Sequence, residues 1–457
     1  MEAWISHFSK HVKMKEPRLE KRLIKIVESF SKKPASSIPE ACCSHSETAA
    51  AYRFFDNPRV SANDVKDSSL NETLEKIKDE KLVLVPTDIT GLNYFTHKAL
   101  KGTGPMRSQR SKGLVLASSL AVDKKGTPLG LIFQKLWGRA KETGLEARVE
   151  RKKLPLEKRE SYVWIEAVKK IENIIPEDKT AIMIGDRGSD FYDLFDYKRK
   201  PNIELLIRAK TNRSLHNDNV KLFERVAFGK ADGMTLVNVP RSKKSKARSA
   251  KVEIRLKQVE ISVPLQKSKR LFKPIVLYVI EAKEVRIPKN VSNPILWRLI
   301  TTLPVKSITE AVEKVIWYAK RFLIERYHYA LKSGCKVEDL QLETIDRIEK
   351  ALAVYCLIAW RLLFLTYRSR NNPHESCEKH FTKDEWASCY MFLNKRKPPN
   401  KPPSLKEFIV MIAQLGGFLS RKSDGDPGVK VIWRGLKRLE DISASFANFK
   451  EIFVCNG

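Results

Sequence analysis

The chain has 457 residues, 42% of them hydrophobic, and carries 86 Lys and Arg against 54 Asp and Glu, a formal net charge of +32 with a pI near 9.8. That apolar content excludes a disordered chain, and the length predicts two or three domains. The charge excess favours a polyanionic partner, nucleic acid ahead of an anionic membrane surface, because phosphate neutralisation releases condensed counterions.

The start, MEAWISHFSKHVK, has no continuous apolar core and does not read as a secretory signal. The most apolar run, 351–367, contains Arg361 and reads as a buried helix, so no membrane partner is expected. Seven cysteines without a CxxC pair suit a reducing compartment, and with the charge excess a cytoplasmic, DNA-associated protein is expected. His374, Cys377 and His380, with Cys389, are a zinc option, but the spacing of the usual zinc-binding motifs is absent.

Residues 1–62 read as short basic helices, a small DNA-docking module. One begins at Pro17, with Leu19, Leu23, Ile26 and Val27 at helical spacing. Ser46 is expected to cap a second, which Asn57-Pro58 ends, and Ser61 a third. From residue 81 the pattern turns to strands: LVLVPTDITG, then GLVLASSLAV and PLGLIFQKLWG joined by a hairpin-like turn at Asp123–Gly126. A polar helical region over about 157–174 precedes AIMIGDRGSD and IELLIRAKTN, two more strands. Hairpins followed by alternating helix and strand indicate a mixed α/β sheet. Residues 214–290 read as a β-rich insertion, with a basic loop at 241–251. LWRLITTLP resumes the core, a long helix follows over 339–367, and the basic, proline-rich stretch 394–403 should be extended. Ser404 is expected to cap LKEFIVMIAQL, which Gly416-Gly417 ends, before a last helix containing Trp433, Leu436, Leu439 and Ile442. The expected division is 1–62, 63–368 and 369–457.

Two acids end strands, Asp88 and Asp186, which is where α/β sheets place their sites. Asp190 and Asp193 are alternatives to Asp186. A third acid, Glu325, lies in YAKRFLIERYHYALK. If that stretch is one helix, Tyr318, Arg321, Glu325 and Lys332 fall within a stripe roughly 60° wide at about 100° per residue. The plain interpretation of such a stripe is a solvated ion-pair face. Convergence of the three acids would instead make a hard-oxygen site for Mg²⁺ or Mn²⁺.

The spacing Tyr318-x2-Arg321-x3-Glu325-x6-Lys332 resembles the signature of bacterial DDE transposases of the insertion-sequence-four family. AYRFFDNPRVSA, PTDITGLNY, GDRGSD, LIRAKT, the 297–302 strand and MIAQLGGF occur in that family's order, so the resemblance covers nearly the whole chain and is weakest in the β insertion. It implies an RNase H-like catalytic core between N-terminal and C-terminal all-helical domains. It implies a DNA transposase with Asp88, Asp186 and Glu325 as a triad holding two Mg²⁺ or Mn²⁺ ions. The reaction implied is cleavage at terminal inverted repeats of double-stranded DNA, a hairpin intermediate, and joining of 3′-OH ends to target DNA by a homodimer. By the same resemblance Tyr318, Arg321, Lys332, Arg208, Lys210 and His328 contact end DNA, Arg53 recognises the end, and Trp297 stacks on a flipped base. Tyr329 stands where a relative has lysine, and the middle of DRGSD departs from the family sequence while both acids remain. A non-catalytic DNA-binding regulator or inhibitor of transposition is the alternative.

Overall fold

In a computed structural model of the chain, the described residues are 3–42, 44–106, 111–140, 154–239, 247–265, 267–268, 270–289 and 291–454. The basic loop expected at 241–251 lies outside them for residues 241–246. Five helices come first, Ala3–Ser9, Pro17–Lys32, Ile38–Cys42, His45–Asp56 and Ala62–Ile77. Pro17 opens its helix as expected, since a first-turn residue needs no N–H. The helix expected to start at Ser46 is capped by Ser44, which accepts from the Glu47 N–H. Ser44 stands three residues before Glu47, the spacing a cap needs, while Ser46 falls inside the first turn. Ser61 caps the fifth helix as expected, in a reciprocal pair with Asp64.

Ten strands form one sheet: β1 (Leu82–Asn93), β2 (Gly104–Pro105), β3 (Lys112–Val122), β4 (Pro128–Trp137), β5 (Thr180–Gly185), β6 (Ile203–Arg208), β7 (Gly233–Val239), β8 (Arg248–Ile261), β9 (Ile275–Glu284) and β10 (Leu296–Thr301). The hairpin between β3 and β4 turns on Asp123, whose Oδ1 accepts from the N–H groups of Gly126 and Thr127, both at 2.7 Å. The turn needs Gly126 at φ +99°. The spatial order β4-β3-β1-β5-β6, antiparallel through β1 and parallel from β1 to β6, is the RNase H-like arrangement. The crossover from β4 to β5 carries a helix at Tyr162–Ile174. The β insertion is not a separate layer. Its strands β7, β8 and β9 continue the sheet beyond β6 through β10.

Both faces of the central strands are covered, which is why they read as unbroken apolar runs. Val83, Val85, Met183, Leu205 and Ile207 pack on one face with the helix Tyr162–Ile174. Leu84, Ile182, Ile184, Leu206 and Leu299 pack on the other with the later helices. The 27-residue helix Ile345–Asn371 is buried along most of its length. It starts at Thr344, whose side chain caps it, and not at 339, where a separate short turn sits at Val337–Asp339. It runs past residue 368 and packs against β4, three N-terminal helices and two C-terminal ones. Phe30 stacks on its Tyr355 at 5.1 Å, and its buried Lys350 donates to the Asn57 carbonyl at 3.2 Å.

The 318–332 stretch is not one helix. Helices Ile308–Ala319 and Phe322–Tyr329 meet at Lys320 and Arg321, where N–H groups bond three residues back, and a π-type turn closes Ala330–Gly334. Each tightened step rotates the chain by more than an α-helical residue does, so the four side chains do not form the simple stripe.

Three helices close the chain, Lys383–Asn394, Leu405–Leu415 and Val429–Val454. Ser404 and Glu407 make the expected cap, and 396–403 holds no helix or strand. The last two helices touch backbone to backbone: a Cβ on Gly435 would stand 1.7 Å from the Ile412 carbonyl oxygen, and one on Gly416 1.9 Å from that of Val431. Helix propensity alone favours alanine over glycine by about 1 kcal/mol. Gly435→Ala is nevertheless expected to lose about 1–3 kcal/mol, seen as a lower denaturation midpoint; a raised midpoint would show that this close approach is absent.

Candidate active site and DNA-facing surface

The parallel register sets two acids side by side. The β1–β5 ladder ends on the pair Pro86–Ile184, and Asp88 and Asp186 lie two residues beyond it on their respective chains. Adjacent strands run about 4.8 Å apart. Residues two apart share a face, so Asp88 follows Leu84 and Asp186 follows Ile182 and Ile184 towards the later helices. Arg208 follows Leu206 on β6, and Trp297 precedes Leu299 on β10, onto the same face. The helix Phe322–Tyr329 packs on β1 and β3 over this face and presents Glu325, which is exposed.

Arg321 ties the acids together. Its Nη1 lies 3.5 Å from Asp88 Oδ2, and its Nη2 pairs with Glu325 Oε1. The break after Ala319 carries it there. Burial pushes the Asp88 carboxyl up to about 6, with Asp186 and Glu325 adding to the rise and Arg321 and the Ile89 N–H opposing it. Tyr318 is buried, and the charges of Arg321 and Arg208 lie close enough to its hydroxyl to oppose the rise in its pKa that burial causes. Trp297, half-buried, meets the Tyr318 ring edge-on at 5.1 Å. Lys332, in the π-type turn, donates to the Gly91 carbonyl at 2.8 Å, three residues along β1 from Asp88.

Other expected residues fall elsewhere. His328 is a correction: it is buried, its Nε2 has no hydrogen-bond partner, and burial with Lys332 and Arg321 nearby lowers it to about 3, so it is a neutral core residue and presents nothing to DNA. Lys210 is exposed beyond β6, and Arg53 is exposed on its N-terminal helix. The alternatives to Asp186 are occupied. Asp190 accepts from the Lys210 and Thr211 N–H groups at 2.6 and 2.9 Å and pairs with Arg213, while Asp193 binds Lys267. Arg187, exposed and close enough to Arg208 to perturb it, was missed. Its signal was its place directly after a strand-end acid. The His374, Cys377, His380 and Cys389 option, already disfavoured by its spacing, is not gathered among the described residues, and His380 pairs with Glu375 at 3.2 Å.

The donor set of Asp88, Asp186 and Glu325 fits a hard divalent cation. Three carboxylates share one face, one of them raised by burial and by its acidic neighbours, and a guanidinium sits between two of them. Their oxygens are not within 4.8 Å of one another as a set of three, so the acids are poised around Arg321 and not closed on a common point.

Three family models match in chain order: transposase DNA-binding over residues 1–60, transposase DDE domain over 163–361, and transposase Tn5 dimerisation domain over 357–449. The chain carries the domains of a Tn5-like DDE transposase. The DDE match contains Asp186 and Glu325, while Asp88 precedes it and joins them through the β1–β5 register. A cryo-EM structure of a piggyBac transposase synaptic complex with hairpin DNA is similar at 11% identity, covering 89% of this chain and 76% of that one, with a TM-score of 0.38. The helical ends and mixed sheet of the transposase agree with the three matches. No helix among its described residues is long and apolar enough to cross a membrane.

The raised Asp88 carboxyl has a stability consequence. Between its ordinary value of 3.8 and about 6 the folded transposase binds more protons than the unfolded chain, so this group lowers stability as pH rises through that window. In chelator-treated protein, Asp88→Asn is expected to raise unfolding stability at pH 7 by on the order of 2–3 kcal/mol at most. The gain should shrink towards zero below pH 4. Chemical denaturation across pH measures it, and a gain independent of pH would contradict the assignment.

Proposed function

We propose that this transposase is close to Tn5 transposase, within the insertion-sequence-four family, and excises its element at terminal inverted repeats before joining the free ends to target DNA. The observation that carries the proposal is the placement of Asp88 and Asp186, on adjacent parallel strands, on one face beneath Glu325, with Arg321 linking Asp88 to Glu325. In this reading residues 1–62 bind the element ends, 63–368 perform the chemistry and 369–457 pair two copies.

Asp88, Asp186 and Glu325 would hold Mg²⁺ or Mn²⁺, two ions, whose bound chemistry is activation of the attacking oxygen and stabilisation of the leaving one. The chain's own groups do the rest. Arg321 and Arg208 have planar guanidinium groups suited to a phosphate oxygen pair, and Lys332 supplies a point charge beside them. Tyr318 lies close to both guanidiniums, and its ring backs Trp297. Lys210 and Arg53 offer exposed charge to the DNA backbone. A water first cleaves one strand and frees a 3′-OH, which attacks the opposite strand to give a hairpin. A second water opens the hairpin, and the 3′-OH then attacks target DNA. Each is an in-line displacement at phosphorus, so one site serves all four. Trp297, supported edge-on by Tyr318 and only half-buried, would receive a base flipped out at the hairpin bend.

Glu325→Ala is expected to abolish cleavage of DNA carrying the element's terminal repeats while leaving gel-shift affinity for the ends within about threefold, since that side chain opposes phosphate and does not bind it. Cleavage persisting at the wild-type rate would sink the assignment. Trp297→Ala is expected to slow hairpin formation by about 10-fold or more with nicking nearly unchanged, resolved on denaturing gels. Equal slowing of both steps would remove the stacking role.

A further inference from the structure

Outside that site, the described residues contain one set of three metal-type side chains whose ligand atoms all lie within 4.8 Å of one another: His7, His11 and Glu75. His7 lies in the helix Ala3–Ser9. The N–H groups of Lys10 and His11 bond back to the carbonyls of His7 and Phe8, so the chain keeps turning and His11 comes to lie over His7. The two rings stand 5.1 Å apart, tilted by 30°. Glu75 reaches them from the helix Ala62–Ile77, with its Oε2 at 3.4 Å from His11 Nε2 and 3.9 Å from His7 Nε2. Tetrahedral zinc with bonds of about 2.0–2.2 Å separates its ligand atoms by about 3.3–3.6 Å.

The ordinary account of two histidines beside a carboxylate is a hydrogen-bonded ion pair. The geometry does not make that bond. His11 Nε2 is fully covered and has no hydrogen-bond partner, although a carboxylate oxygen stands close by. One turn back, Glu72 directs one oxygen to Lys76 at 2.6 Å and leaves its other oxygen buried and unpartnered. Two uncompensated polar atoms at one place are costly unless something else satisfies them. Burial also lowers the His7 pKa, which favours the neutral imidazole that ligates metals. Lys10 and Lys13 line the same cleft and, with Lys76 nearby, oppose a cation, which Glu75 and the free oxygen of Glu72 offset in part.

We infer that His7, His11 and Glu75 form a site for one borderline-soft divalent cation of the zinc class, clipping the N-terminal segment to the helix Ala62–Ile77. It shares no residue with the carboxylate face. Its two-nitrogen, one-oxygen donor set prefers zinc or cobalt over magnesium, the reverse of the preference of three carboxylates. Its role is structural, because it joins the segment ahead of the DNA-binding helices to a helix packed on β4.

The test uses full-length protein stripped with chelator and titrated with Co²⁺ in excess Mg²⁺, which keeps the oxygen-only site supplied. One equivalent of Co²⁺ is expected to give the intense visible absorption of a four- or five-coordinate, nitrogen-ligated ion, displaced by Zn²⁺. His7 is half-exposed, so His7→Gln spares the fold and should weaken Co²⁺ binding by roughly 100-fold or more. His11→Gln should do the same, and Asp88→Asn should leave the spectrum unchanged. Absence of the absorption in wild-type protein overturns the site, as does its persistence in both histidine variants or its loss in Asp88→Asn.

Discussion

Everything on the carboxylate face depends on one balance of charge. Asp88, Asp186 and Glu325 repel one another at the carboxyl end of the sheet, and burial worsens the cost for Asp88. Arg321 holds the group together by reaching two of the three. Arg321 sits at the interruption after Ala319, one helical turn before Glu325, and reaches both Glu325 and Asp88 from there. The interaction is therefore electrostatic in origin and conformational in its means. A cation with higher charge density than a guanidinium would compete for the same oxygens.

The sheet makes that balance positional. Asp88 and Asp186 derive from parallel neighbours in fixed register, and Arg208 and Trp297 follow from the same alternation on β6 and β10. A slip of one residue in any of these strands would turn its member to the opposite face. Because β10 bridges the core strands and the inserted ones, the insertion cannot shift without moving Trp297 relative to Tyr318. Tyr318 packs edge-on against Trp297, so one buried phenol links β10 to the broken helix.

Much of this was legible in the residues. Apolar runs ending in acids marked β1 and β5, and the capping residues Ser61 and Ser404 marked two helix starts correctly. The spacing of the 318–332 residues identified the right segment but not its shape. A helical wheel assumes uniform rotation, and nothing in the residue types announces the tightened step at Lys320 and Arg321. His328 was expected at the DNA from the resemblance alone, and it is buried, because residue type and position do not reveal which neighbours cover a side chain. The choice among Asp186, Asp190 and Asp193 also needed coordinates, since it turns on partners distant in sequence, Arg213 and Lys267. The histidine pair and Glu75 are more than 60 residues apart, and only the packing of two helices brings them together.

The helix Ile345–Asn371 has a bearing on how the chain comes to exist at all. Asn57 and the Lys350 that binds its carbonyl are separated by 293 residues, and Phe30 waits as long for Tyr355. At about 5–20 residues per second of synthesis, the first helices spend roughly 15–60 seconds without the surface that completes their core. Through that interval Phe30 and Phe55, both fully buried in the finished fold, lack part of their cover. The N-terminal helices therefore complete their core only after most of the chain has been made, and the long-range closure that builds the scaffold sets the order in which its parts mature.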